Sequence, residues 1–180
     1  NFTAENGAEF DGSSSCLSAT FTCPSAISLA FWVQPKSYAD QSPFVAFASS
    51  TPSNYLVIGG NDARLMLNVN GAGVSANVYD STNMPTSAFK LVIATYTAGA
   101  QTVYLGDALQ ASGSQGGFTI DTNFAIGRLG AYPQYAPIYL KNLKIYDHIL
   151  SGSEASTILA AGENPSASSS PPPQSQQGGQ

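Results

Sequence analysis

The chain has 180 residues, enough for one domain with its own core, and 43% of them are hydrophobic. Charged residues make up only 9%, against about 25% in typical soluble domains, so uncharged polar residues must supply the surface. A net charge of −5 without any Lys/Arg cluster excludes a nucleic-acid partner, and no apolar run is long enough for membrane insertion. This composition is typical of an extracellular, secreted or cell-surface protein.

The N-terminal part of the chain predicts a strand over residues 8–17 that is broken by a turn at Asp11-Gly12. Cys16 and Cys23 lie seven positions apart with no other Cys or His nearby, which excludes a zinc site. A local disulfide fits this spacing and would contribute about 2.5 kcal/mol by the loop-entropy model. The alternative is a pair of buried thiols in a reducing compartment.

Residues 27–35, I-S-L-A-F-W-V-Q-P, alternate apolar side chains on one face and carry Trp32 on the other. Because both faces hold a large apolar group, we expect a central strand that is covered on each side, with Trp32 in a structural role. Pro35 should end this strand, since proline has no N–H to donate to a neighbouring strand.

The rest of the chain reads as further short strands separated by turn signals. They are predicted over residues 44–48, 55–58, 64–69, 75–79, 89–97, 102–105, 108–111, 118–120 and 123–129. With the strands at either end, the total is eleven to thirteen. Such spacing predicts an all-β antiparallel sandwich.

The most informative stretch is residues 138–159, which predicts a strand, a sharp turn and the one helix. Lys141 and Lys144 should keep one side of the strand in water. Ser151 and Glu154 form the S-x-x-E pattern of a capping box, in which each side chain bonds the other residue's N–H. Gly162 should end the helix after about three turns.

After residue 163 the composition changes to N-P-S-A-S-S-S-P-P-P-Q-S-Q-Q-G-G-Q, which cannot form a core. We therefore predict a domain over residues 1–163 and an extended tail or linker over residues 164–180, with polyproline II at residues 171–173. The tail is expected to contact another copy of the chain or another surface protein. The start at Asn1 rather than Met suits a processed, exported protein, although a shortened chain would look the same.

Four motifs, in order, resemble the laminin-G-like jelly-roll domains of the concanavalin A-like lectin/glucanase superfamily. They are F-D-G-S at residues 10–13, the strand at 27–35, V-I-A-T-Y with V-Y-L-G-D at 92–107, and I-G-R-L-G with L-K-I-Y-D-H-I-L-S-G-S-E at 126–154. The resemblance spans residues 8–159 and implies two curved antiparallel sheets packed face to face. Two positions depart from it. Leu140, Lys141 and Asn142 stand where the family commonly has an acidic pair, which removes ligands for a calcium ion, and His148 stands where Arg is usual.

Catalysis is not supported by the spacing of the acidic residues. Hydrolases of this superfamily need two carboxylates on one strand face, about 5 Å apart in retaining enzymes. Glu5, Glu9 and Asp11 are close in sequence, but Asp11 lies in the turn, and their expected roles are turn formation and solvation. His148 has no nucleophile motif beside it, and the run at 13–15 lacks a nucleophile elbow. The prediction is a non-catalytic module, with a glycoside hydrolase remnant as a remote alternative.

Two binding hypotheses remain open. The first is a structural or adhesive module of an extracellular assembly, which suits the low charge and the tail. Its S-S-S-P-P-P run resembles extensin-like and algal wall glycoproteins. Asn1-Phe2-Thr3 is one N-glycosylation sequon.

The second hypothesis is a carbohydrate-binding module, since sugars stack on aromatic rings and pair with amides and carboxylates. The glycan-binding candidates are Tyr38, Asp62, Tyr79, Asp80, Tyr132 and Tyr135. Calcium could assist through oxygens of Asn61, Asp62 and Asp80. Each of these residues is also common in turns or at strand ends.

Overall fold

A computed structural model describes residues 2–3, 7–22, 24–38, 42–48, 54–61, 64–71, 74–106, 108–113, 122–129 and 134–163, with the backbone alone at 2–3, 54, 70–71, 74–83 and 109–111. Its strands and helix are β1 (Phe2–Thr3), β2 (Gly7–Asp11), β3 (Leu17–Thr20), β4 (Ala26–Pro35), β5 (Ser42–Ala48), β6 (Asn54–Asn61), β7 (Arg64–Gly71), β8 (Val74–Asn83), β9 (Lys90–Thr97), β10 (Ala100–Leu105), β11 (Ala108–Gly113), β12 (Asn123–Ile126), β13 (Pro137–Tyr146) and α1 (Gly152–Ala161). No helix in this part of the chain is long and apolar enough to cross a membrane.

The strands form two antiparallel sheets, as expected for a jelly-roll sandwich. The seven-stranded sheet has the order β1-β2-β13-β4-β9-β10-β11, and the six-stranded sheet has the order β3-β12-β5-β6-β7-β8. The main core lies between them, and alternate residues of each strand enter it, because successive side chains of a strand point to opposite faces. In β4 these residues are Ile27, Leu29, Phe31 and Val33, all fully buried.

The prediction that the β4 strand is central and covered on both sides is confirmed. It pairs with β13 on one side and β9 on the other, and it ends at Pro35. Its outer face carries Ala30 and Trp32, which belong to a second apolar cluster with Ala155 of α1. The helix therefore covers the outer face of the seven-stranded sheet, which explains why β4 is apolar on both faces.

The predicted turns and helix ends are also confirmed where the structure describes them. β2 ends at Asp11, and Gly12 adopts a φ of 78°, which glycine tolerates without a Cβ clash. Ser151 caps α1 in a complete capping box with Glu154, and the N–H of Gly162 bonds the Leu159 carbonyl. The predicted strand at 118–120 lies outside the described residues, as do the tail at 164–180, Asn1 and Glu5.

The expectation that Lys141 keeps its side of β13 in water was wrong. Its side chain is buried, with the ammonium 4.1 Å from the Phe89 ring centroid and 3.6 Å from a Glu163 oxygen. Lys141 does lie on the outer face, opposite Trp32, but Phe89 and Glu163 cover it there. The bulge after Lys141, where Asn142 adopts a φ of 51°, keeps Leu143 and Ile145 facing the core. Lys144 is exposed, as expected.

The predicted disulfide is not supported. Cys16 is a half-buried free cysteine, and Cys23 lies outside the described residues. The seven-position spacing made a bridge feasible on length alone, but a bridge also needs a close approach of the two Cβ atoms. The sequence spacing carries no information on that geometry.

Candidate functional site

A hairpin that follows β12 folds over the six-stranded sheet and builds one side of the candidate site. The Gly127 N–H donates to the Phe44 carbonyl at 2.9 Å, which continues the β12–β5 pairing. The Leu129 N–H donates to the Gln134 carbonyl at 3.1 Å, and Arg128 bridges to Tyr135. These bonds hold Leu129 and Gln134 in place against the sheet.

The outer face of the six-stranded sheet carries a small apolar cluster of Ala46, Val57 and Met66. Each of these residues lies between two neighbours that enter the main core, which places the cluster on the opposite face. Tyr55 and Leu129 are half-buried and pack against it. The cluster therefore forms a floor that is partly covered by an aromatic ring and by the hairpin.

Two amide oxygens beside this cluster have no hydrogen-bond donor in the described part of the chain. Asn68 pairs in register with Val57, and its Oδ1 is buried without a partner. Gln134 is held beside Leu129, and its Oε1 is likewise buried without a partner. Buried acceptors are nearly always satisfied in native proteins, and an unsatisfied one costs about 1–3 kcal/mol. Both oxygens are thus positions where an external donor would be favourable.

We call this arrangement the outer-sheet site and define it by Tyr55, Asn68, Leu129, Gln134 and Tyr135. The Arg128 guanidinium lies 5.5 Å from the centroid of the Tyr135 ring, a cation–π contact that orients the ring. None of the five defining residues is ionisable as a carboxylate or an amine. The site therefore offers acceptors, aromatic rings and an apolar floor, which suits a neutral ligand that donates hydrogen bonds.

The predicted glycan-binding candidates fall in different environments. Tyr135 lies in the outer-sheet site, and Tyr79 pairs in register with Met66, although only its backbone is described. The Tyr38 ring packs against the main core, and its hydroxyl donates to the Met84 carbonyl. Burial raises the pKa of Tyr38, and these contacts favour a packing role for it.

The remaining candidates are the three proposed for calcium and Tyr132, which was proposed for glycan binding. Asn61 is half-buried and ends β6, where it pairs in register with Arg64. Asp80 lies in β8, with only its backbone described, while Asp62 and Tyr132 lie outside the described residues. Within the described ranges no group of three His, Cys, Asp or Glu residues comes together. Calcium at Asn61, Asp62 and Asp80 stays a prediction.

The acidic residues weighed for catalysis are engaged in local contacts. Glu9 forms an ion pair with Lys36 at 2.7 Å. The Asp11 carboxylate accepts the backbone N–H groups of all three serines at 13–15, and these bonds, the one from Ser14 first, hold its pKa far below the usual range. His148 lies between Glu154 and Asp147, which raise its pKa. These contacts agree with turn-forming and surface roles.

Four of the five residues that define the outer-sheet site were missed by sequence reasoning. Asn68 could have been found, because it is the polar residue between the core residues Leu67 and Val69. Tyr55 and Leu129 were assigned only to strands, and Gln134 was assigned to no predicted element. Their partners come from β6, β7 and the hairpin after β12, and no local pattern predicts which strands become neighbours.

A concavity lies between α1 and β13, on the seven-stranded sheet. It has a volume of about 360 Å³, and Lys144, Tyr146 and Ile158 are among its lining residues. It is shallow, and its Glu154 carboxylate already accepts bonds from the Ser151 N–H and hydroxyl. We do not place the candidate site here, because none of its lining residues carries a buried unsatisfied polar atom.

Comparison with known proteins agrees with this architecture. A laminin-G family model, described as concanavalin A-like lectin/glucanases superfamily, matches residues 7–156. The chain belongs to this superfamily. The match spans both sheets and the first half of α1, so it includes every residue of the outer-sheet site. A comparison with curated protein sequences gave no match.

Several solved structures share the fold of this superfamily member. Domain 4 of AbnA, an extracellular arabinanase from Geobacillus stearothermophilus, in complex with arabinotriose, has a TM-score of 0.66 and 18% identity, over 76% of this chain and 68% of that chain. A heptameric SAP-like pentraxin from Limulus polyphemus has a TM-score of 0.65 and 14% identity, with coverages of 87% and 82%. Mouse laminin alpha1 domains LG4-5 have a TM-score of 0.65 and 11% identity, with coverages of 81% and 43%. At these identities the likeness is one of fold.

Proposed function

We propose that this domain is a non-catalytic, extracellular interaction module that binds carbohydrate at the outer-sheet site. The observation that carries the proposal is the pair of buried amide oxygens, Asn68 Oδ1 and Gln134 Oε1, which lack donors in the described part of the chain. A sugar presents many hydroxyl donors at short spacing, so one residue of a glycan can satisfy such acceptors.

The other contacts of the site support the same ligand class. Sugar rings expose C–H faces that pack on aromatic rings, and Tyr55 and Tyr135 are both half-buried, with part of each residue accessible. Arg128 restrains the Tyr135 ring before a ligand arrives, which lowers the entropy lost on binding. The absence of carboxylates and amines among the defining residues favours a neutral oligosaccharide.

The structural neighbours supply independent support for carbohydrate recognition on this fold. Domain 4 of the extracellular arabinanase AbnA was solved in complex with arabinotriose, a neutral trisaccharide. That protein is only 18% identical, so the position of its ligand is not transferred to this chain. The extracellular setting fits the 9% charged composition and is part of the proposal.

The test is isothermal titration with arabinotriose and a panel of neutral and acidic oligosaccharides, on the wild-type chain and two variants. We expect Asn68→Ala and Tyr135→Ala to weaken binding of the best ligand about tenfold each, the equivalent of about 1.4 kcal/mol. Tyr139→Ala is the matched control, because Tyr139 also carries a cation, Lys36 at 5.3 Å, but belongs to the seven-stranded sheet. The proposal fails if no sugar binds at millimolar concentration, or if both site variants bind as well as the control.

The same titrations, repeated with calcium and with a chelator, separate direct from calcium-assisted binding. Binding that needs calcium would point to Asn61, Asp62 and Asp80. Binding that survives the chelator assigns the affinity to the amides and aromatic rings.

A structural or adhesive role in an extracellular assembly is the second candidate. The observation that favours it is an uncharged, exposed edge on the six-stranded sheet, formed by β3. A contribution of the tail at 164–180 is tested by light scattering of the chain with and without residues 165–180.

A further inference from the structure

We propose that residues 164–170 dock on the outer face of the seven-stranded sheet of their own chain, in a channel between the rings of Tyr139 and Phe89. The segment has the sequence N-P-S-A-S-S-S and follows directly after Glu163. The path of α1 across the sheet, the contacts that hold Glu163 and the uncharged aromatic surface beyond them all support this position.

The chain crosses the outer face of the sheet in one direction between Leu150 and Glu163. The Leu150 N–H donates to Ser28 Oγ at 3.0 Å, which places the start of this segment over position 28 of β4. Its end lies over position 32, because the Glu163 carboxylate is 3.6 Å from the Lys141 ammonium and Lys141 pairs in register with Trp32. A chain that continues in this direction next passes position 34, about 7 Å further along β4.

Glu163 is held through both its main chain and its side chain. Its carbonyl accepts a bond from Asn142 Nδ2 at 2.6 Å, and its carboxylate forms the ion pair with the buried Lys141. Asn142 stands in the bulge of β13, where its φ is 51°. The next residues therefore start from a fixed point, and the Cα atom of Pro165 lies within about 7 Å of that of Glu163.

The surface over position 34 of β4 is a channel with an aromatic ring on each side. Tyr139 pairs in register with Gln34 on the β13 side, and Phe89 directly precedes β9 on the other side. The Phe89 ring is on the outer face, since its centroid lies 4.1 Å from the Lys141 ammonium. The floor is Gln34, whose Nε2 donates to the Thr86 carbonyl at 2.9 Å. Two strand spacings separate the walls by about 10 Å, which is wide enough for one extended chain.

The charges beside the channel are paired within the chain. Lys141 is paired with Glu163 at one end, and Lys36 forms an ion pair with Glu9 at 2.7 Å at the other. A charged occupant would lose hydration without gaining a free counter-charge, so a neutral one is favoured. Residues 164–170 carry no charged side chain.

Two features of the segment fit this surface. Proline restricts φ to about −65°, so Pro165 can pack on aromatic rings in an extended conformation with little further loss of entropy. The Oε2 atom of Glu163 is buried without a hydrogen-bond donor in the described chain. The serine hydroxyls and backbone N–H groups of residues 166–170 are donors close to this atom in sequence.

Docking of this segment would give the tail a defined starting direction. It would cover the outer face of the seven-stranded sheet beyond the end of α1, on the side of the sandwich opposite the outer-sheet site. The outer-sheet site would stay open, and residues 171–180 would remain available to a neighbouring molecule.

Disulfide trapping in the full chain tests the direction and the occupant together. Tyr139 and Lys144 pair with positions 34 and 30 of β4, so they lie about equally far from Lys141 in opposite directions. Tyr139→Cys with Pro165→Cys should form an intrachain disulfide on mild oxidation at least about tenfold faster than Lys144→Cys with Pro165→Cys. Pro165→Cys alone measures the background from the native cysteines.

The fluorescence of Trp32, the single tryptophan of the chain, provides an independent measurement. Its side chain is half-buried at the start of the channel, where it pairs with Lys141. Pro165→Gly makes the undocked segment more flexible and removes a ring from the contact, so acrylamide quenching of Trp32 should rise about twofold. Pro172→Gly makes the same change beyond the docked segment and should leave quenching unchanged.

Several results would overturn the proposal. Equal rates of disulfide formation for the two cysteine pairs would remove the direction, and a disulfide that forms between chains rather than within one would assign the channel to a neighbour's tail. Quenching of Trp32 that is the same in the wild type and both proline variants, or that rises equally in both variants, would show that residues 164–170 do not cover this face.

Discussion

The two outer faces of the sandwich differ in how fully their buried polar groups are hydrogen-bonded. On the seven-stranded sheet, Ala30 and Ile93 lie under α1, and Ser28 Oγ both donates to the His148 carbonyl and accepts the Leu150 N–H. On the six-stranded sheet, Asn68 and Gln134 keep buried oxygens that find no donor in the described chain. At Ser28 the first face satisfies its polar groups internally, and its Glu163 Oε2, which has no hydrogen-bond partner, lies 3.6 Å from the Lys141 ammonium. The second face leaves neutral acceptors for something outside the described chain.

This contrast separates residues that stabilise the fold from residues available for binding. A side chain whose contacts are all internal can be changed only at a cost in unfolding free energy. A side chain with an unsatisfied buried atom contributes little to stability or opposes it. Substitutions on the seven-stranded face should therefore lower stability more than binding. Substitutions on the six-stranded face should lower binding more than stability.

The largest expected effect is on the seven-stranded face. Ile93→Ala removes a fully buried side chain under α1 and should lower the free energy of unfolding by about 2–5 kcal/mol. Ile149→Ala is the matched control, since Ile149 is 40% exposed, and should cost about 0.5 kcal/mol or less. Urea denaturation measures both. Equal losses would mean that α1 does not close this face.

Ser28→Ala tests the polar link beneath the helix. The substitution leaves the His148 carbonyl without a donor at 2.8 Å and the Leu150 N–H without an acceptor at 3.0 Å. We expect a loss of about 1–3 kcal/mol by chemical denaturation, whereas Ser37→Ala at an exposed bend should change stability by less than about 0.5 kcal/mol. A loss no larger than that of the control would show that the link is not needed.

The capping box should give a smaller effect that depends on pH. The Ser151 hydroxyl and N–H, and then His148, lower the pKa of Glu154 from 4.5 to about 2. Because the folded-state pKa is lower than the unfolded one, this contribution is fully present above pH 4.5 and is lost as the pH falls towards 2.

Thermal unfolding of the wild type and Glu154→Gln between pH 2 and pH 6 checks this expectation. The wild type should be the more stable at pH 6, and the difference should shrink as the pH falls. A difference that is constant across the range would contradict the assignment.

The smallest expected effect on stability comes from the six-stranded face. Asn68→Ala removes a buried oxygen that has no donor, so the free energy of unfolding should stay the same or rise by up to about 1 kcal/mol. Asn142→Ala is the matched control, because it breaks a 2.6 Å bond from Nδ2 to the Glu163 carbonyl and places Ala at a positive φ. Only the Asn142→Ala curve should shift to lower denaturant, and a clear loss for Asn68→Ala would remove the contrast between the two faces.

Local signals in the sequence predicted much of the fold. The apolar alternation of β4, its end at Pro35, the turn after Asp11 and the capping box of α1 each depend on residues within a few positions of one another. Propensity, capping and turn chemistry act over that range, so the pattern carries the information. Most of the strands and the helix followed from the same signals.

The two incorrect predictions, on Lys141 and on the cysteine bridge, depend on geometry that local sequence signals do not contain. Lys141 is buried because Phe89 and Glu163, both remote in sequence, meet it at the bulge of β13. The Cys16–Cys23 bridge was inferred from spacing, although a bridge depends on the relative direction of two side chains. The first error reflects how distant segments pack, and the second reflects side-chain directions within one loop, neither of which a spacing pattern contains.

The sequence by itself therefore determined the class of the protein: an antiparallel sandwich of the concanavalin A-like type with one capped helix, set by period-two alternation and by turn and cap residues. Only the tertiary structure decided that Asn68 Oδ1 and Gln134 Oε1 are buried without a donor in the described chain, which face α1 closes and which strand lies at the exposed edge. The physical reason is that these features depend on strand order, which arises from burial of the whole core rather than from any local preference.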